Sequence, residues 1–211
     1  MKNLTLVLFS SLLLSAALHA APPSAKPAAK PAPAAAVVYD IDPQHSSVGF
    51  SVRHMTVSKV RGRFTQFTGD FVYLKGKPAL WKAQAAIDTM SVDTDIEARD
   101  KHLRSADFFN CDKFPQMVFK STKATDLKGE KAKLHGELTL LGVTKPVVLD
   151  LEIGGEAKDP WGGERAGFSA HGKINRKDFG MVWNKTLDAG GVMVGEDVEL
   201  FLEVEGVRRK S

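Results

Sequence analysis

From residue 46 onward, apolar residues recur at every second position through most of the chain, the spacing of strands with one face turned toward a core. In SVGFSV, Val48, Phe50 and Val52 share a face opposite Ser47, Gly49 and Ser51. WKAQAAI aligns Trp81, Ala83, Ala85 and Ile87, and QMVFK aligns Met117 with Phe119. KAKLHGELTL sets Leu134, Gly136, Leu138 and Leu140 against Lys133, His135, Glu137 and Thr139. PVVLDLEI aligns Val147, Leu149, Leu151 and Ile153, and RAGFSAHGKIN aligns Ala166, Phe168, Ala170, Gly172 and Ile174. EDVELFLEVEG aligns Val198, Leu200, Leu202 and Val204 against glutamates and Phe201.

One stretch changes phase. In VRGRFTQFTGDF, Val60, Gly62 and Phe64 share a parity, whereas Phe67, Gly69 and Phe71 share the opposite one. A strand does this only with an extra residue, so a bulge or bend near Thr65 and Gln66 is predicted between two halves of one long strand. That makes eight strands, joined by short turns at LGVTKP (141–146), DPWGGE (159–164) and YLKGKPAL (73–80). Short connections imply antiparallel neighbours, and eight such strands stack as a sandwich or close into a barrel. A single helix is predicted near residues 95–104. Thr94 followed by Glu97 reads as a capping box, and Asp95–Arg99, Glu97–Lys101 and Asp100–Arg104 are spaced i,i+4.

The chain opens differently. Lys2 followed by the apolar stretch Leu4 to Leu18 and a small residue at Ala20 reads as a secretory signal peptide over 1–20. This stretch is too short for a membrane span, and no integral span is expected elsewhere. Residues 21–37, rich in Ala and Pro, read as an extended, disordered linker. The folded domain is then expected over 38–208, about 170 residues, enough to bury roughly 70% of the unfolded-chain surface. The formal net charge is +4 with acids and bases interspersed, which gives no support to a nucleic-acid partner. The single cysteine, Cys111, excludes an internal disulfide and is expected to be a half-buried spectator.

Candidate chemistry is sparse. RDKHLRSADFFN concentrates charge around His102, but residues at helical spacing point to different sides and cannot all converge. A solvated or structural role is the first reading of Arg99, Asp100, His102 and Arg104. Head-group contact with a ligand is the second. His45, His54, His102, His135 and His171 show no metal-ligand spacing. GFSAHG lies within a strand pattern and lacks the second glycine of a nucleophile elbow. No phosphate loop or dinucleotide fingerprint occurs, so neither a cofactor nor a metal is expected. What remains is the barrel interior. Large residues there (Phe50, Phe64, Phe67, Phe71, Phe119, Phe168, Leu138, Leu140, Leu149) mix with small ones (Gly62, Gly69, Gly136, Gly172). Such a mixture leaves room for one small ligand, and a filled core in which glycines only bend the backbone is the alternative.

The motifs YDIDPQHSSVGFSVRHM, VRGRFTQFTGDF, IDTMSVDTDIEARDKHLRSADFF, FPQMVFKST, GELTLLGVTKPVVL and INRKDFGM follow one another over residues 39–206. In this the domain resembles the YceI-like family of exported proteins. The resemblance implies a lipocalin-like, eight-stranded antiparallel β-barrel in the periplasm or outside the cell. It implies a bore for a long lipophilic ligand such as a polyisoprenoid, a quinone precursor or a fatty-acid derivative, no enzymatic activity, and the capacity of some members to form homodimers. The bore wall would comprise the large residues above with Val52, Ile87 and Ile174, and Leu103 and Phe108 would face the chain from the helix end. His54, Arg99, Asp100 and His102 are the expected head-group contacts. A lipid-modifying hydrolase or isomerase using His54 or His102 is the rival reading.

Overall fold

The alternation of the sequence becomes a ring of strands in a computed structural model, which describes residues 37–210 apart from Ala189. The expected export signal and the Ala/Pro segment through residue 36 lie outside the described residues. The strands are β1 (Val38–Ile41), β2 (Ser47–His54), β3 (Ser58–Phe64), β4 (Phe67–Val72), β5 (Lys82–Asp88) and β6 (Val92–Asp93). Helix α1 (Glu97–Arg104) follows, then β7 (Gln116–Lys128), β8 (Lys131–Leu140), β9 (Val143–Lys158), β10 (Glu164–Asn175) and β11 (Val194–Arg208).

These segments form eight long staves. β1 and β2 lie in line along β11, with Tyr39 opposite Arg208 and His54 opposite Val194. β3 and β4 lie in line along them, with Phe64 opposite Val48 and Phe71 opposite Tyr39. β4 and β3 pair onward with β5 and β6, and β5 through β11 pair in sequence order. Every pairing is antiparallel, and the contact of β1 and β2 with β11 closes the barrel. The predicted phase break sits at Thr65 and Gln66. There Ser91 takes over the pairing: its carbonyl accepts from the Thr65 amide at 3.2 Å and its hydroxyl from the Gln66 amide at 3.1 Å.

Two turns are tight, the second of them tighter than expected. The β2–β3 connection places Met55 and Thr56 at φ 49° and 60°, with the Val57 amide donating to the His54 carbonyl at 3.1 Å. That is the type I′ geometry whose twist matches paired strands. Leu141 and Gly142 make a turn of the same kind, so β9 already begins at Val143 rather than after Pro146.

The helix corrects the sequence reading. It begins at Glu97, not Asp95, and its N-cap is Ile96, which has no capping side chain. Asp95 takes a left-handed φ of 62° and so ends the extended segment instead of starting the helix. The Thr94 hydroxyl is used elsewhere. It donates to Asp100 Oδ1 at 2.5 Å, beside the Thr94 amide bond to the same atom at 2.9 Å. None of the expected i,i+4 pairs forms. Asp95 meets Arg63 at 3.3 Å, and Arg104 donates to the Met90 and Val92 carbonyls, each at 2.9 Å. The charged motif therefore fastens the helix to the barrel rim.

Two buried clusters line the barrel, one toward each end. One joins Phe64, Val92, Phe108, Phe109, Met117, Leu140 and Phe179, and the other joins Tyr39, Phe71, Tyr73, Trp81, Leu149 and Ala166. Outside, charged pairs run across neighbouring strands: Lys59–Glu199 at 2.5 Å, Lys133–Asp150 at 2.5 Å and Lys173–Asp197 at 2.7 Å. An apolar inside and a charged outside is the reverse of a barrel whose outer band meets lipid. No helix among the described residues is long and apolar enough to cross a membrane.

Candidate functional site

A closed barrel buries its inward residues completely only if their side chains meet in the middle. Here they do not. Phe50, Val52, Phe168, Ile174, Leu200 and Leu202 all face inward yet remain half-buried. The space they face is a cavity of about 620 Å³. Its middle wall is aliphatic and aromatic, with Phe119 and Leu138 on one side, Leu149 and Phe168 on another, and Phe50, Phe64 and Phe67 opposite. Phe71, Ile87 and Leu140 complete the wall with Val52 and Ile174. Every bore residue expected from the sequence thus stands on the cavity wall, Leu103 and Phe108 included.

The glycines do not create this space. A Cβ at Gly62 would lie 2.5 Å from the Phe50 ring, and one at Gly172 would lie 2.6 Å from Leu149. At Gly136 a Cβ would collide with the Phe119 ring. These glycines are seats for large side chains laid flat along the wall, which corrects the idea that small residues leave gaps. The hollow comes from the circumference of an eight-stave barrel.

The two ends differ. At one, Tyr73, Trp81 and Phe71 are buried, and Phe168 sits edge-on to Phe71 and Tyr73 at 5.1 Å from each. Trp81 Nε1 donates to the Leu74 carbonyl at 2.8 Å, so the indole N–H is paired within this aromatic packing. Tyr39 stacks on Phe71 at 5.2 Å and donates to Glu156 at 2.9 Å, and burial with that partner pushes its hydroxyl up to about 12. Beyond it Arg165 binds Asp42 at 2.9 Å, Glu205 at 2.5 Å and Asp159 at 3.1 Å. These hydrogen bonds hold the Asp42 carboxyl down at about 2. Asp42, His45 and Glu205 stand close enough to share an ion, but both carboxylates already face the Arg165 guanidinium. The cluster is an ion-pair network that ties β1, β10 and β11 together.

The opposite end is a mouth. Its rim is formed by His54 at the end of β2, by Ile96 and Arg99 at the start of α1, and by Arg176, Met181, Trp183 and Met193 between β10 and β11. Ile96 lines the cavity and is also 51% exposed, which places it on the lip. His102 packs edge-on against Trp183 at 4.8 Å and Phe108 at 5.0 Å, and its Nε2 lies 2.8 Å from Asp107. Of the expected head-group contacts, His54, Arg99 and His102 line the cavity. Asp100 does not. It is buried behind Thr94, where both of its recorded hydrogen bonds are made, and it acts as a brace. Among the described residues neither His54 nor His102 is hydrogen-bonded to a hydroxyl or thiol that could act as a nucleophile. Cys111 is fully buried rather than half-buried, and burial pushes its thiol up, away from the reactive thiolate.

Sequence patterning missed part of the mouth. Met181, Trp183 and Met193 line it from a segment without regular period. So does Arg176, which lies inside the INRKDFGM motif and is 2% exposed. Its Nε, Nη1 and Nη2 donate to the carbonyls of Gly195, Met181 and Val194 at 2.8, 2.6 and 3.3 Å. Desolvation lowers its pKa.

Comparison with known proteins places this barrel. A protein named YceI from Salmonella newport is 46% identical over 179 residues, spanning 84% of this chain and 90% of that protein. A UPF0312 protein of Photorhabdus laumondii is 45% identical over 177 residues, 84% of this chain and 88% of its own. The crystal structure of a Campylobacter jejuni YceI protein superposes with a TM-score of 0.64 at 36% identity, over 75% of this chain and 90% of that one. A polyisoprenoid binding domain from Saccharophagus degradans shares the fold with a TM-score of 0.59 at 17% identity, over 81% of this chain and 98% of that one. The family profile described as a YceI-like domain matches residues 39–206, and the chain belongs to that family.

Proposed function

We propose that this protein is a binding protein, not an enzyme, and that it carries one long lipophilic chain inside its barrel. One observation carries the reading: a cavity of about 620 Å³ whose wall is overwhelmingly apolar, with polar residues only at its two ends, among them Lys82 and Gln84 at the closed one and His54, Arg99 and Arg176 at the mouth. Water gains little from filling such a space, whereas each methylene moved into it from water is favourable by about 0.8 kcal/mol. A water's share of liquid volume is about 30 Å³, close to that of a methylene, so the cavity of about 620 Å³ holds about twenty chain atoms. The fold shared with a polyisoprenoid binding domain supports an isoprenoid or fatty chain as the cargo. The apolar stretch Leu4 to Leu18 supports export, and an aqueous compartment such as the periplasm is where a chain of this kind needs a container. The test is mass spectrometry of an organic extract of the purified protein. A stoichiometric long-chain lipid is expected, and an extract without one from protein purified without detergent overturns the reading.

A further inference from the structure

The charges at the mouth are unbalanced in a particular way. Several acids at this end already have partners: Glu196 with Lys177 at 2.6 Å, Asp197 with Lys173 at 2.7 Å, Asp93 with Arg63 at 2.6 Å and Asp107 with His102 at 2.8 Å. Of the three arginines on the cavity wall, Arg53 is exposed, and the two more buried ones, Arg99 and Arg176, form no salt bridge with a carboxylate among the described residues. Arg99 Nε and Nη2 donate to the hydroxyl and carbonyl of Thr94, each at 2.7 Å. The Asp100 charge reaches it only through that hydroxyl. Arg176 spends three of its five N–H donors on backbone carbonyls and keeps two. It is almost wholly buried, beside an apolar space where a charge is poorly screened.

Both arginines belong to one end. Arg176 bonds the Val194 carbonyl, Val194 pairs with His54, and Met55 donates to Met193. Thr94, which orients Arg99, borders the same wall: a Cβ at Gly62 would lie 2.8 Å from its methyl group. A buried, un-neutralised cation is costly to a fold unless something supplies the counter-charge. Here Glu196 acts on Arg176 only from a distance and Asp100 acts on Arg99 only through Thr94, so neither guanidinium has a carboxylate in direct contact.

We infer that the mouth is an oxyanion site: the ligand ends in a carboxylate or phosphate group that Arg99 and Arg176 bind while its chain occupies the bore. This rests on the reading of the cavity as a lipid site and names the chemical class of what it holds. A neutral head would leave both guanidiniums without an anion in direct contact. An oxyanion accepts several N–H bonds at once, in the planar arrangement that arginine offers.

The experiment uses three ligands that differ only at the head: hexadecanoic acid, hexadecyl phosphate and hexadecanol. Each displaces a neutral fluorescent naphthylamine from protein stripped of carried lipid, at pH 8. One charge-assisted hydrogen bond is worth roughly 1.5–3 kcal/mol, so the better of the two anions is expected to bind at least about tenfold tighter than the alcohol. Whether carboxylate or phosphate leads identifies the source of the oxyanion. In Arg99→Gln the anion advantage should shrink about fivefold or more while hexadecanol affinity stays within about twofold. Arg176→Gln should act alike. Because it also frees three carbonyls, its fold is checked by circular dichroism, and Arg99→Gln decides the matter if it fails. An alcohol bound as tightly as both anions overturns the oxyanion site and leaves the lipid reading intact. Failure of all three ligands to displace the probe overturns the lipid reading itself.

Discussion

The size of the cavity dictates how affinity should depend on ligand length. The perturbation is a homologous series of unbranched ligands with one head group, lengthened two carbons at a time from C10 to C28. Each methylene that enters the bore leaves water at a gain of about 0.8 kcal/mol, which alone is about fourfold in affinity. Fixing its torsion opposes this by a few tenths of a kcal/mol, so about twofold to fourfold per carbon is expected. The gain must stop when the space is full. At about 30 Å³ per chain atom, a cavity of about 620 Å³ fills at about twenty atoms. Dissociation constants from probe displacement, plotted as logarithms against chain length, should therefore fall linearly and level off near C20. A flat series would show that the chain does not enter the barrel. An unbroken slope to C28 would show that it passes through or lies along the surface.

Three other outcomes follow from single contacts. Phe168→Asp puts a carboxylate among Phe71, Tyr73 and Trp81, where an unpaired charge costs several kcal/mol, so the extract should lose its lipid and the thermal midpoint should fall. A folded variant that still carries lipid would remove the closed end from the chain's seat. Gly136→Val drives a side chain into the Phe119 ring and toward the Lys120 carbonyl, 2.8 Å from the Cβ position, for a loss of about 1–3 kcal/mol. An unchanged melting curve would show that the ring moves aside freely. Asp42 titrates at about 2 when folded against 3.8 when free, so its contribution is present above about pH 4 and is lost as pH falls toward 2. Arg165→Gln should return that carboxyl toward its ordinary value and flatten the stability loss between pH 4 and 2, read from urea unfolding. An identical acid slope in both proteins would refute the network's role.

The barrel was legible because alternation is a global signal: a strand with one wet and one dry face repeats its parity over its whole length. The Thr65–Gln66 interruption was legible for the same reason, since only an inserted residue reverses parity. β1 was not, because VYDI is four residues long and its neighbours continue no pattern. The far half of β7 was hidden too. Register shifts after Ser121 and Thr125 break its parity, and its inward positions include the small residue Ala124. The helix start misled because Thr94 and Glu97 have capping spacing, yet the Thr94 hydroxyl is claimed by a buried carboxylate three residues farther on. The mouth was least legible. Met181, Trp183 and Arg176 reach the cavity from an aperiodic segment whose path depends on where β10 and β11 end, a tertiary fact with no local trace.

The aromatic packing of Tyr73, Trp81 and Phe168 makes the barrel a sack instead of a pipe. Whatever slides in tail-first must back out head-first through the same doorway. Donor and recipient of the cargo would then compete for one threshold, and hand-over would proceed by turns rather than by flow.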